Sequence, residues 1–112
     1  MNEVLNNMRN ALNRKVCRQL IKTMSDNGFE CIKADDENIK NKSIKYKVDM
    51  VFDLDGADII FKKADKTHYV VFCAYNTGIE CIADWGYAEG DADGFSAIMD
   101  KFTGDTKWEM NQ

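Results

Sequence analysis

From residue 55 onward the chain signals a turn about every ten residues, and this limits its fold more than any other feature of the sequence. Asp55-Gly56, Asp65-Lys66-Thr67 and Asn76-Thr77-Gly78 are turn signals. They separate three apolar-rich segments: Ala57 to Lys63, Tyr69 to Tyr75 and Ile79 to Trp85. Links this short join neighbouring antiparallel strands, because a parallel crossover needs a dozen or more residues. The segments therefore predict a meander.

Alternation assigns faces within it. Ile59 and Phe61 share one side of the first segment. Tyr69 to Tyr75 is a continuous apolar run, the pattern of a central strand covered on both faces. In the third segment Ile79, Cys81, Ala83 and Trp85 face in, while Glu80, Ile82 and Asp84 face out. Upstream, Ile44 to Asp53 reads as a further half-buried strand. Ile44, Tyr46, Val48, Met50 and Phe52 lie on one side, with Lys45, Lys47, Asp49, Val51 and Asp53 on the other. Gly28 to Lys33 is a short strand, and the polar stretch Asp35 to Lys42 a solvated loop.

Helices flank these strands. Leu5, Met8, Leu12, Val16 and Leu20 recur at helical spacing, predicting a helix over Glu3 to Ser25 that stops at Asp26-Asn27-Gly28. Phe95, Ile98, Met99 and Phe102 make the apolar face of a short helix ended by Gly104, and Trp108 is an anchor candidate in the tail. The expected fold is one α+β domain over residues 1–112: an N-terminal helix, a four- to five-stranded antiparallel meander sheet and a short C-terminal helix. With 112 residues, 45% of them hydrophobic, the chain can fill a core of that size.

Compartment and chemistry follow from what is missing. The N-terminus lacks an apolar signal region, and no run approaches the eighteen or so apolar residues of a membrane span, so a cytoplasmic location is expected. Cys17, Cys31, Cys73 and Cys81 each sit in an apolar pattern and read as reduced, small hydrophobic residues. The sequence has one histidine, His68, and no CxxC pair, so no zinc or other cofactor is expected. It also lacks a GxSxG elbow, a P-loop and a GxGxxG fingerprint, and enzyme activity is not expected.

Charge is divided along the chain. Residues 1–48 carry 10 Lys/Arg and 6 Asp/Glu, a net of +4; residues 49–112 carry 5 and 13, a net of −8. Arg14, Arg18 and Lys22, with Lys40, Lys42, Lys45 and Lys47, could form a basic patch, but no nucleic-acid motif accompanies them and direct nucleic-acid binding is not the expectation. On the outward face of the meander, Asp49, Asp53, Asp58, Glu80 and Asp84 surround Val51, Ile60 and Ile82. An apolar centre with an acidic rim suits a basic protein partner. The acidic loop residues Glu89, Asp91 and Asp93 extend that surface.

The stretch Glu89 to Asp100 also resembles a calcium-binding EF-hand loop, with acids at positions 1, 3, 5 and 12 and glycine at 6. It departs from that pattern in its longer first acid, its shorter last acid and the strand expected before it. The resemblance implies weak calcium binding as an alternative, and the simpler role is a helix start capped by Asp93. In size, acidic lean, element order and lack of catalytic groups the chain is similar to small phage-borne inhibitors such as anti-CRISPR proteins, and to bacterial immunity proteins. That similarity implies a non-catalytic, acidic inhibitor occupying a basic or nucleic-acid-binding surface of a larger protein. A self-assembling structural protein of a phage or mobile element, forming a homo-oligomer, is the remaining alternative.

Overall fold

The structure, a computed structural model, describes residues 2–87 and 93–105. Helix α1 runs Asn2–Asp26, strand β1 Glu30–Ala34, β2 Glu37–Asn38, helix α2 Ile44–Asp53, β3 Gly56–Lys63, β4 Lys66–Cys73, β5 Ile82–Tyr87 and helix α3 Phe95–Thr103. A single 3₁₀ turn, Gly78–Cys81, leads into β5. The five strands form one antiparallel sheet in the order β2-β1-β3-β4-β5. This is the expected α+β arrangement; β3, β4 and β5 form a meander, while α2 carries the chain from edge strand β2 back past β1, so that β3 pairs with β1.

The Ile44 to Asp53 segment is therefore a helix, not a strand. Its apolar residues satisfy two periods at once. Read every second residue, they give an edge; read every third or fourth, Ile44, Val48 and Val51 give a helical face. Local chemistry decides for the helix. Ser43 sits in an extended conformation and its Oγ accepts from the Tyr46 backbone N–H at 3.1 Å, an N-cap. Lys45 and Asp49, one turn apart, pair at 2.7 Å. Lys47 then falls on the buried side, and its ammonium donates to the Cys31 carbonyl at 2.8 Å. Asp55-Gly56 consequently turns a helix into a strand and does not close a hairpin. Asp55 has φ 59° and Gly56 φ 123°, and a Cβ on Gly56 would lie 2.5 Å from the Phe72 carbonyl oxygen.

The helices cover one side of the sheet. Val16, Leu20, Ile21 and Met24 of α1, Val48 and Val51 of α2, and Phe95, Met99 and Phe102 of α3 meet Ile59, Phe61, Val70 and Phe72 of the central strands. The core half of α1 begins at Leu12 and Asn13; the first turns extend past it, leaving Val4 60% and Met8 53% exposed. Among the described residues no helix is long and apolar enough to cross a membrane. The four cysteines are free thiols. Burial pushes Cys31 and Cys81 up to about 12 and raises Cys17 as well, so these three stay protonated and inert at neutral pH.

Asn13 is fully buried and ties the link between β4 and β5 to α1. Its Nδ2 donates to the carbonyls of Ala74 at 3.1 Å and Asn76 at 2.7 Å, and its Oδ1 accepts from the Gly78 N–H at 2.7 Å. One amide side chain thus satisfies three loop backbone groups, two of them in buried bonds and the Asn76 carbonyl in a half-buried one.

A second polar device holds the start of α3. His68 points into the core from β4, and its Nε2 lies 2.7 Å from Asp93 Oδ2. The imidazole stacks on Phe95, with ring centroids 4.5 Å apart, and meets Phe29 edge-on. Asp93 Oδ1 also accepts from the Phe95 N–H at 3.4 Å, while Gly94, at φ 83°, takes the N-cap position expected of Asp93. Desolvation opposes the Asp93 carboxylate. The hydrogen bond and charge of His68, with the Phe95 N–H, outweigh it and hold the carboxyl below its ordinary range. A depressed folded-state pKa stabilises the protein above the unfolded value of about 4, and that contribution is lost as pH falls through the folded one. We expect Asp93→Asn to flatten the acid limb of stability below about pH 4, measured by urea unfolding across pH. An unchanged limb would assign acid unfolding to other carboxylates.

Candidate functional site

Among the described residues, no element covers the sheet side away from the helices. Alternation on β3 and β4 sends Ile59, Phe61, His68, Val70 and Phe72 inward and Asp58, Ile60, Lys62, Thr67, Tyr69, Val71 and Cys73 outward. Registry sets these in rows: Lys33 of β1 opposite Ile60, Ile60 opposite Tyr69, and Tyr69 opposite Gly86 of β5. In the next row Asp58 faces Val71, and Val71 faces Asp84. Tyr69 is 39% exposed and Tyr75, just past β4, 68%.

Tyr69 lies across Gly86, where a Cβ would come within 2.6 Å of its ring. The bare glycine lets the aromatic ring lie flat on the sheet toward its β5 edge. Beyond Val71 the face ends in a depression of about 260 Å³ lined by Asp35, Asp55, Asp58, Val71, Cys73 and Tyr75. Asp35 is fixed there, its Oδ1 accepting from the Asp58 N–H at 2.8 Å and its own N–H donating to the Asp58 carbonyl at 2.9 Å. Four carboxylates, Asp35, Asp55, Asp58 and Asp84, thus rim one end of an apolar centre made by Ile60, Tyr69, Val71 and Tyr75. The other end is mixed: Lys33 stands in the Ile60 row, and Glu30 is opposite Lys62.

Of the surface anticipated from sequence, this face brings together Asp58, Ile60 and Asp84. Asp49, Val51 and Asp53 belong to α2 in the helical layer, because their segment is helical. Val51 is fully buried, Asp49 pairs with Arg14 and Lys45, and Asp53 is exposed at the end of α2. Hydrogen bonds from Lys45 and Arg14 lower the Asp49 pKa. Glu80 sits on the 3₁₀ turn, not on a strand, and is exposed. Ile82 points inward, opposite Phe72, because the register shifts between Val71 and Phe72 and sets Ala83 out of the pairing. Asp93 is engaged with His68 and Phe95. Glu89, Asp91 and Trp108 lie outside the described residues.

Tyr69, Val71 and Tyr75 escaped the sequence reading because an all-apolar run suggests a strand covered on both faces. β4 is central, between β3 and β5, yet covered on one face only. The signal was present in its neighbours, since Asp58, Lys62 and Asp84 alternate with core residues and mark one side of the sheet as wet.

The same geometry separates the histidine from the thiol nearest to it in sequence. His68 faces the core and Cys73 the open side of the same strand. Among the described residues no group of three His, Cys, Asp or Glu side chains is placed to hold a metal ion. Comparison of the chain with protein-family models, curated proteins and solved structures gave no match.

Proposed function

We propose that the chain is a non-catalytic protein-binding module that seats its uncovered sheet face on a basic surface of a partner protein. One observation carries this reading: β4 is apolar on both faces but covered on one, leaving Tyr69 and Val71 beside the exposed Tyr75. Tyrosines are favoured interface anchors, supplying contact area at low entropic cost together with a polar tip. Asp35, Asp55, Asp58 and Asp84 at one edge of that centre select for positive charge and speed encounter with it. Where the basic surface is one that otherwise holds nucleic acid, occupancy by this face blocks it, and the module acts as an inhibitor.

The test is comparative capture from a bacterial cytoplasmic extract, using wild-type chain and a quadruple variant, Asp58→Asn, Tyr69→Ala, Tyr75→Ala and Asp84→Asn. All four positions lie outside the core, so the variant should melt with the wild type. We expect a basic protein held by the wild type at low salt, released as salt rises, and lost from the variant. Each tyrosine that anchors the interface should contribute about 2 kcal/mol or more to the measured affinity. Retention of the same protein by a folded variant would remove the sheet face from the reading.

A further inference from the structure

We propose that the groove between α1 and α2 binds a small amphipathic anion: a carboxylate, sulfonate or phosphate head on an acyl or aryl body. The groove lies in the helical layer and does not depend on the docking role of the open sheet face. It encloses about 650 Å³ between Arg14, Arg18 and Lys22 of α1 and Ile44, Lys45 and Val48 of α2. That volume falls within the range of small-ligand sites, about 300–1,000 Å³. Arg14, Arg18 and Lys22 are four residues apart, so their side chains stand along one wall at intervals of about 6 Å. Ile44 and Val48 form an apolar floor, and the aliphatic stems of the cations extend it.

The charges are arranged to leave one end of the groove attractive to an anion. At the other end Asp49 accepts hydrogen bonds from both Arg14 and Lys45 and clamps the two helices together. Arg14 is further fixed over the Phe52 ring, 5.0 Å from its centroid. Lys22 has a loose partner, Asp26 at 3.5 Å, in a pair with both side chains more than half exposed. Such a pair is readily given up to a better acceptor. Arg18, between them, makes no ion pair or hydrogen bond among the described residues. Four cations against two carboxylates give the groove a net positive charge, with an uncommitted guanidinium at its middle.

The floor decides which anion fits. Inorganic phosphate would meet Arg18 and Lys22 but leave Ile44 uncovered. A nucleic acid strand would find no aromatic side chain in the lining on which to stack a base. A ligand with an anionic head and an apolar body uses both parts of the groove.

The probes are 1-anilinonaphthalene-8-sulfonate and decanoate, added to the full chain. We expect saturable one-site enhancement of the naphthalene fluorescence, displacement by decanoate, and amide shifts confined to residues 14–22 and 44–48. Arg18→Glu with Lys22→Glu, both on the solvent side of α1, should weaken binding by about tenfold or more without moving the melting curve. Equal binding of the uncharged N-phenyl-1-naphthylamine would overturn the site, as would shifts mapping to the open sheet face. So would unchanged affinity in the folded double variant, or no response to either anion at millimolar concentration.

Discussion

Asn13→Ala should cost the protein about 3–4 kcal/mol, more than most single truncations on its surface or helices. The side chain itself is small, so the loss is not one of packing volume. It comes from the Ala74 carbonyl and the Gly78 N–H, which lose their partner in a buried setting, and from the half-buried Asn76 carbonyl. Each buried group left unpaired costs about 1–3 kcal/mol, partly relieved where the loop can swing toward water. In a domain of this size the change should lower the melting temperature by on the order of 15 °C. Asn13→Asp separates the contributions: it keeps the acceptor for Gly78 but replaces two donors with charge facing carbonyls, and should be no better than alanine. A calorimetric scan placing Asn13→Ala within about 1 kcal/mol of wild type would mean that the loop is held by its own turn chemistry.

The second large effect is expected at Phe95. This residue starts α3 and is fully buried, stacked on His68 and edge-to-face with Phe29 at 5.5 Å. Phe61 closes the cluster, its ring centroid 6.3 Å away. Phe95→Ala should cost about 3–5 kcal/mol, the usual range for emptying an aromatic site in a core. Phe95→Leu should recover part of it, because the volume is largely refilled. The His68 ring protons report the same event independently, since they lose the shielding of the stacked ring. A small loss in urea midpoint with the His68 signals unmoved would show that the cluster closes around the gap and that α3 is anchored by Met99 and Phe102.

These sites show where the sequence could be read and where it could not. α1 and α3 were legible because their apolar spacing admits one period only, and the β3–β4 hairpin because Asp65-Lys66-Thr67 lies between two apolar-rich segments. The Ile44 to Asp53 segment was not, since its apolar residues fit strand and helix alike. Its Ser43 cap and the Lys45–Asp49 spacing carried the information that the hydrophobic pattern lacked. The open sheet face was half legible: Asp58, Ile60 and Asp84 do lie on it, whereas Val51 and Ile82 point into the core because of a wrong period and an unforeseen register shift. Asn13 and the His68–Asp93 contact left no local trace. Both join residues far apart in the chain, and a lone polar residue within an apolar pattern does not announce its partner. The basic groove was visible as a charge ladder on α1, but its apolar floor appeared only once the facing segment proved to be a helix.

The overhang of α1 has a consequence for how the helix opens. Its first turns carry Val4 and Met8 into solvent, whereas from Asn13 onward it is packed against the sheet side of the molecule. Amide hydrogens along this one helix should therefore exchange on two regimes. The early turns exchange by fraying, in times set by local helix–coil equilibria, and the later ones only through global unfolding. The boundary should fall near Asn13, where the loop beyond β4 is fastened to the helix, so that exchange rates read residue by residue would locate the point at which a secondary structure becomes part of a tertiary one.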